Sequence, residues 1–144
     1  MAQLRERGFT LFELLLVIVL AGITAAILAP SLGRGMQAAT ERSALASMVG
    51  ALRSARVQAI ASGQAVEVNF DLEARLVQGP ERRPIAWPAD FTVRLHTARE
   101  LGAAFAFYPD GAASGGNILV TRGQARWRID ISWLTGSVTL RALP

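Results

Sequence analysis

Apolar and polar residues follow three successive patterns along the chain. Residues 9–29 are almost entirely apolar and carry a single charge, Glu13. From Leu45 to Ile60, apolar residues recur at spacings of three and four, which is typical of an amphipathic helix. Beyond Gly63, apolar and polar residues alternate, which is typical of half-buried β-strands. The chain is therefore predicted to begin with one long helix and to continue as a β-rich region.

Two places in the helical region predict a change in the backbone. Pro30, followed by Gly33 and Gly35, predicts a kink or local unwinding, because proline lacks the amide hydrogen that helix bonding uses. Gly63 predicts the end of the helix, since glycine readily takes the left-handed conformation common at helix ends.

Turn residues divide the alternating region into strands. Strands are predicted at 66–70, 75–78, 91–95, 105–107, 126–133 and 138–140, with the proline-containing segment 79–88 as a loop. Within 126–133 the alternation predicts four core residues: Trp127, Ile129, Ile131 and Trp133. The predicted fold class is α+β, a long N-terminal helix packed on a mostly antiparallel sheet.

Composition narrows the classes of function. The 144 residues are enough for one domain, and the absence of cysteine excludes disulfides and thiol catalysis. The one histidine, His96, excludes a multi-histidine metal site and has no nucleophile in a recognisable setting. Asp110 lacks the neighbouring carboxylates of a calcium loop and is interpreted as a turn residue. We therefore expect no enzyme activity, no cofactor, no metal and no small-molecule substrate.

The apolar segment 9–29 permits three interpretations. As a helix rising about 1.5 Å per residue, it matches the roughly 30 Å hydrocarbon core of a bilayer. It could be a secretory signal peptide, a plain membrane anchor, or an anchor in which Glu13 has a function. A charge in such a segment costs free energy and usually marks a function, which favours the third interpretation.

The string from Arg7 to Glu13, Arg-Gly-Phe-Thr-Leu-Phe-Glu, together with the apolar run after it, resembles the type IV prepilin signal. The resemblance implies that a prepilin peptidase cuts between Gly8 and Phe9 and that Phe9 is then N-methylated. Residues 1–8 would be the removed leader, and Glu13 would be the fifth residue of the mature chain. The resemblance also implies a single-pass protein of the bacterial inner membrane, with residues 30–144 as a periplasmic head.

Glu13 lies four residues after the amine that cleavage at Gly8 would leave on Phe9. In a helix that spacing places both groups on one face, about 6 Å apart along the axis. Pairing with an amine offsets much of the cost of a carboxylate in apolar surroundings. The amine could belong to a neighbouring subunit, where the pair would set the register of a filament, or to the same chain. The sequence leaves both alternatives open.

Two further strings lie near the C-terminal end of the chain. Phe107-Tyr-Pro-Asp-Gly-Ala-Ala-Ser-Gly-Gly116, followed by Trp127 and by Leu134-Thr-Gly-Ser-Val138, resembles the H-type minor pseudopilins of type II secretion and the related FimT pilins. The resemblance implies a subunit that helps to initiate or cap a short periplasmic filament and contacts other major and minor pseudopilins. The alternative it implies is a FimT-like minor pilin of a type IV pilus, with a role in DNA uptake.

Nucleic-acid binding is the competing interpretation of the basic residues. The chain carries 15 basic and 11 acidic residues, a net charge of +4. The nearest thing to a basic cluster is Arg122, Arg126 and Arg128, with Arg141 as a candidate neighbour. The other interpretation is a solvated face of the sheet. We expect a solvated face and no nucleic-acid binding, because four net positive charges spread over the chain do not produce a focused positive field.

Overall fold

The structure is a computed structural model that describes residues 10–81 and 83–144, apart from the side chains of residues 27–37. The chain divides between Glu41 and Arg42 into two compact units. The first contains the N-terminal part of one long helix. The second, residues 42–144 and here called the head, contains the rest of that helix and the strands.

Helix α1 extends from Leu11 to Ser62. The helix continues without interruption through Pro30, Gly33 and Gly35, so the predicted local unwinding is wrong. The reason is that a proline removes one backbone hydrogen bond, while the neighbouring turns keep theirs. The predicted helix end is confirmed: Gly63 has a φ of 68° and donates its N–H to the carbonyl oxygen of Ala59 at 3.0 Å.

The predicted membrane segment, residues 9–29, lies only partly within the described residues. Its side chains are exposed from Leu11 to Ala26. Across the part of the chain that the structure describes, no helix combines the length and apolar character needed to cross a membrane. The division of the chain at residues 8 and 29 stays a prediction.

The described strands form two four-stranded antiparallel sheets. The first has the order β3-β2-β1-β5 and contains β1 (Val66–Asp71), β2 (Leu76–Gln78), β3 (Ile85–Ala86) and β5 (Ala104–Phe107). The second has the order β4-β6-β7-β8 and contains β4 (Thr92–His96), β6 (Gly116–Arg122), β7 (Ala125–Ile131) and β8 (Val138–Leu143). A short 3₁₀ helix, Arg99–Leu101, precedes β5. The α+β fold class is confirmed.

The core of the head joins the second half of α1 to both sheets. One apolar cluster contains Leu45, Met48, Leu52, Ala55 and Ala59 of α1, Val68, Phe70, Phe105 and Phe107 of the first sheet, and Ile118, Val120, Ile129 and Ile131 of the second. The apolar residues of the helical pattern and those of the alternating pattern both contribute to this cluster, because the helix and the strands each turn their apolar face toward it. Ile60, the last residue of the predicted helical stripe, is exposed.

Three sequence predictions about the strands need correction. The segment 79–88 is not all loop, since it contains the two-residue strand β3. The strands divide into two sheets instead of one, because β5 pairs with β1 while β4 pairs with β6. Trp133, a predicted core residue, is 68% exposed, so this prediction is wrong. Strand β7 ends at Ile131, so the alternation of faces does not continue to Trp133.

Candidate functional site

The predicted peptidase site, Gly8 and Phe9, lies outside the described residues. Cleavage after Gly8 and N-methylation of Phe9 therefore stay predictions. The description begins at Thr10, two residues after the predicted cleavage site, and Glu13 is included in it.

Thr10 caps the N-terminus of α1. Its hydroxyl oxygen accepts the backbone N–H of Glu13 at 3.2 Å, and its carbonyl oxygen accepts the N–H of Leu14 at 3.1 Å. Glu13 is therefore the third residue of the helix, where a carboxylate is stabilised by the partial positive charge of the helix end. Sequence reasoning missed this cap, although the spacing Thr-x-x-Glu is a recognised signal for it.

The first half of α1 presents an uncovered apolar surface. Large apolar side chains from Leu11 to Ile23 are each about half exposed or more, and Leu11 reaches 89%. A patch of this extent on a soluble chain is unfavourable, since each apolar side chain left in water forgoes roughly 1.5–3 kcal/mol of burial. Contact with lipid or with other helices would recover that free energy.

The three candidate nucleic-acid residues do not lie together. Arg122 follows the buried Ile118 and Val120 on one face of β6. Its Nε donates to an Asp90 carboxylate oxygen at 2.5 Å, and its guanidinium lies 5.7 Å from the centre of the Phe91 ring. Its side chain is only 15% exposed. Arg122 therefore stabilises the head between a carboxylate and an aromatic ring, and is separated from Arg126 and Arg128.

Arg126 and Arg128 lie on the opposite, outer face of the second sheet. Arg128 Nε donates to an oxygen of Asp130 at 2.6 Å, and Arg141 reaches the other oxygen of the same carboxylate at 3.3 Å. Arg126 donates to the carbonyl oxygen of Pro144. Arg141 is opposite Arg128 in the β7–β8 register, which confirms it as a neighbour. The outer face is thus basic, but the Asp130 carboxylate forms ion pairs with two of its arginines, Arg128 and Arg141.

Arg94 belongs to the same outer face and was missed from the sequence. Arg94 pairs with Leu119 in the β4–β6 register, and Leu119 pairs with Arg128 in the β6–β7 register. Arg94, Arg128 and Arg141 therefore form one row across four strands. Only strand pairing shows this row, because the three residues are distant in sequence.

The two C-terminal motif turns meet beside α1. Arg56 Nε donates to the carbonyl oxygen of Gly111 at 3.1 Å, and Arg53 donates to the carbonyl oxygen of Val138 at 3.0 Å. The N–H of Ala113 donates to the carbonyl oxygen of Trp133 at 3.0 Å, which joins one turn to the other. Both motifs are thus parts of one structure held against the end of the helix.

Glycine is required at the contact between these turns. Gly136 has a φ of 60°, and a Cβ added there would lie 2.3 Å from the carbonyl oxygen of Gly111. Gly111 itself has a φ of 87°. A side-chain oxygen of Asp110 accepts the N–H of Ala112 at 3.0 Å, which confirms Asp110 as a turn residue. His96, on the outer edge strand β4, is exposed.

Two family profiles match this chain, one over the head and one over the N-terminal segment. The profile of the family described as Type II transport protein GspH matches residues 44–136, most of the head. A second profile, the prokaryotic N-terminal methylation motif, matches residues 3–29. The chain belongs to the GspH family. GspH-family chains are pseudopilins of type II secretion, which confirms the resemblance read from the sequence.

Two relatives support this membership. The chain is 36% identical over 137 residues to the Type II secretion system protein H of Xanthomonas campestris pv. campestris, covering 92% of this chain and 81% of the relative. It is 38% identical over 84 residues to the protein of the same name from Escherichia coli K12, covering 58% of this chain and 50% of that relative.

Solved structures share the fold of this GspH-family chain. The minor pseudopilin EpsH of the Vibrio cholerae type 2 secretion system has a TM-score of 0.54 at 16% identity, over 72% of this chain and 95% of EpsH. The Pseudomonas aeruginosa type IV minor pilin FimU has a TM-score of 0.53 at 14% identity, over 71% and 96%. The fold is therefore common to both filament types and does not separate them.

GspH-family membership together with the methylation motif implies three coarse properties. It implies attachment at the inner membrane with a periplasmic head, processing by a prepilin peptidase, and contact with other pseudopilins. It also implies a structural subunit.

Proposed function

We propose that this chain is a minor pseudopilin that helps to initiate or cap the periplasmic filament of type II secretion. The observation that carries the proposal is the exposed apolar surface from Leu11 to Ile23, with one carboxylate in its first turn. Such a surface suits a helix that is stored in a membrane and then packed among the helices of other subunits.

Glu13 is the residue we assign to assembly. Its backbone N–H completes the Thr10 cap, and its carboxylate lies where the helix dipole favours a negative charge. A methylated amine on Phe9 of a neighbouring subunit would be the partner of that carboxylate. The pair would form only when two helices are in register, so it selects one axial offset among many apolar ones.

The same proposal includes a single membrane pass and a division at residues 8 and 29. Residues 1–8 are the leader, residues 9–29 are the membrane and assembly segment, and residues 30–144 are the periplasmic part, which includes the head. Prepilin peptidase and the other major and minor pseudopilins are the proposed partners, with no small-molecule substrate and no cofactor.

Deletion of the gene tests the function. Loss of the protein should stop export of folded periplasmic proteins through the type II system, while natural transformation should continue. Export should return when the full chain is supplied on a plasmid. Normal export in the deletion strain, with the other pseudopilins still produced, would contradict the proposal.

A FimT-like role in DNA uptake is the second candidate. The outer face that carries Arg94, Arg126, Arg128 and Arg141 favours it. Asp130 weakens it, since this carboxylate pairs with both Arg128 and Arg141. The likeness to FimU concerns the fold alone. Loss of transformation with normal export would favour this second function.

A further inference from the structure

Strand β8 has an open edge. It is the last strand of the second sheet, and among the described residues β7 is its only strand neighbour. At the turn before β8, Ser132 donates its N–H to the carbonyl oxygen of Ser137 at 3.0 Å, so this pair is hydrogen-bonded. In an antiparallel ladder, bonded and non-bonded pairs alternate.

The alternation fixes which backbone groups of β8 point outward. Counting from the bonded pair, Thr139, Arg141 and Leu143 bond to β7. Val138, Leu140 and Ala142 therefore direct their N–H and C=O groups away from β7. The hydrogen bond from Arg53 to the carbonyl oxygen of Val138 agrees with this phase. That arginine occupies one end of the edge and leaves Leu140 and Ala142 open to another strand.

An apolar groove runs beside this open edge. Its volume is about 450 Å³, and its apolar walls include Leu45, Val49, Trp127 and Leu140. Leu140 is 39% exposed although it alternates with the outer-face residues Thr139 and Arg141. A strand added to β8 would place every second side chain over this groove, because successive side chains of a strand point to opposite faces.

Positive charge surrounds both faces of the edge. Arg42 and Arg53 line the groove. Arg141 and Arg128 lie on the outer face, where Asp130 is the carboxylate that pairs with both. An incoming strand with carboxylates toward Arg141 and apolar side chains toward the groove complements this distribution. The charge therefore selects an acidic partner.

A second copy of the same strand fits the edge poorly. In registers that pair the two strands about Arg141, two antiparallel β8 strands would bring Arg141 of each copy opposite or diagonal to the other, at about 5–8 Å between Cβ atoms, and β8 carries no carboxylate to compensate as Asp130 does for Arg128 and Arg141. Like charges at that spacing destabilise a strand pair. The occupant is therefore expected to be a different chain.

We propose that β8 is a docking edge that accepts an extended acidic segment of another filament subunit as an added strand. Backbone bonds to Leu140 and Ala142 would supply affinity, and the groove and Arg141 would select alternating apolar and acidic residues. The identity of the partner as a filament subunit rests on the proposed function. The edge and its chemistry rest on the geometry of the head.

Amide hydrogen exchange on the full chain in detergent micelles tests the edge directly. The probe is a blocked peptide of alternating valine and glutamate, with an alternating valine and lysine peptide as its control. The amides of Leu140 and Ala142 should exchange rapidly without peptide and slow by about tenfold or more with the acidic one. The amides of Thr139 and Arg141, already bonded to β7, should be slow throughout.

A backbone variant separates strand addition from side-chain contact. Ala142→Pro removes an outward N–H that β7 does not use, and proline is tolerated at sheet edges. It should weaken protection of Leu140 by the acidic peptide about tenfold, the loss expected for one backbone bond of about 1.4 kcal/mol. Ala142→Val keeps the N–H and is the matched control, with near-unchanged protection.

Three results would overturn the proposal. No protection by the acidic peptide would remove the docking edge, and equal protection by the lysine peptide would remove its acidic selectivity. Protection that rises with protein concentration alone would make a second copy the occupant. In cells, Ala142→Pro should impair export more than Ala142→Val does. Normal export in the deletion strain would instead contradict the proposed function and leave the exchange result standing.

Discussion

Arg56 Nε donates a hydrogen bond to the carbonyl oxygen of Gly111 at 3.1 Å, across 55 positions of sequence. The same oxygen lies so close to Gly136 that a Cβ added there would be 2.3 Å away. The helix and both C-terminal motif turns therefore meet at one backbone carbonyl. The motif glycines are therefore explained by packing within the head. Their presence does not by itself indicate a binding site.

Gly136→Ala should destabilise the head strongly. The new Cβ would meet the Gly111 oxygen at 2.3 Å in a backbone conformation with φ of 60°. Left-handed strain and the clash together should cost about 3 kcal/mol. Gly123→Ala is the matched control, because Gly123 has a φ of 56° with nothing within 4 Å of its Cβ position. It should cost about 1–2 kcal/mol. Denaturant unfolding measures both, and equal losses would refute the contact.

Cleavage should occur after Gly8. The Gly8–Phe9 junction lies five residues before Glu13, and the N-terminal methylation motif matches residues 3–29. Intact mass of the membrane-extracted protein should equal the chain from Phe9 plus one methyl group. A chain that starts at Met1, or one cut after Ala29, would show that the prepilin interpretation is wrong.

Glu13→Gln should leave α1 and processing intact but reduce assembly. Glutamine keeps the spacing of the Thr10 cap while it removes the charge that would pair with a neighbouring Phe9 amine. Crosslinking to other pseudopilins should fall severalfold. Thr10→Ala is the complementary variant, which loses about 1 kcal/mol of capping and keeps the charge. If Glu13→Gln crosslinks normally, the carboxylate has no partner in another subunit.

Arg122 should differ from Arg126 and Arg128 when substituted. Arg122→Ala removes a partly buried ion pair with Asp90 and a contact with Phe91, and should lower the free energy of unfolding by about 1–2 kcal/mol. The double variant Arg126→Ala and Arg128→Ala lies on an exposed face and should change the free energy of unfolding little. Titration with duplex DNA completes the test. Micromolar, salt-sensitive binding that the double variant abolishes would favour the FimT-like function.

A chain that begins at Leu32 should fold and remain soluble. The apolar cluster of the head lies between Ala44 and Val138, so it does not draw on residues before α1 enters the head. Circular dichroism should show both helix and strand, with cooperative melting. Aggregation, or a non-cooperative melt, would mean that the head needs the apolar segment in order to fold.

Local patterns were enough to predict the long helix and most strands of this fold, although not the short strand β3. The three- and four-residue spacing from Leu45 to Ala59 and the alternation from Val66 to Phe70 are properties of short windows. The apolar residues of both windows are buried, except that Val66 is partly buried. Gly63 ended the helix for a reason that its own backbone supplies. The prepilin string was equally readable, because its chemistry depends on residues adjacent in sequence.

Tertiary structure decided which elements meet. Arg122 and Arg126 are four residues apart, but a turn at Gly123 and the pairing of β6 with β7 place them on opposite faces of one sheet. Trp133 continued the alternation of β7 in sequence and left the core because the strand ended at Ile131. The row from Arg94 to Arg141, the contact of Gly111 with Gly136 and the open edge of β8 depend on pairing between distant segments. No local pattern encodes them, because the free energy that selects each pairing comes from contacts across the whole core.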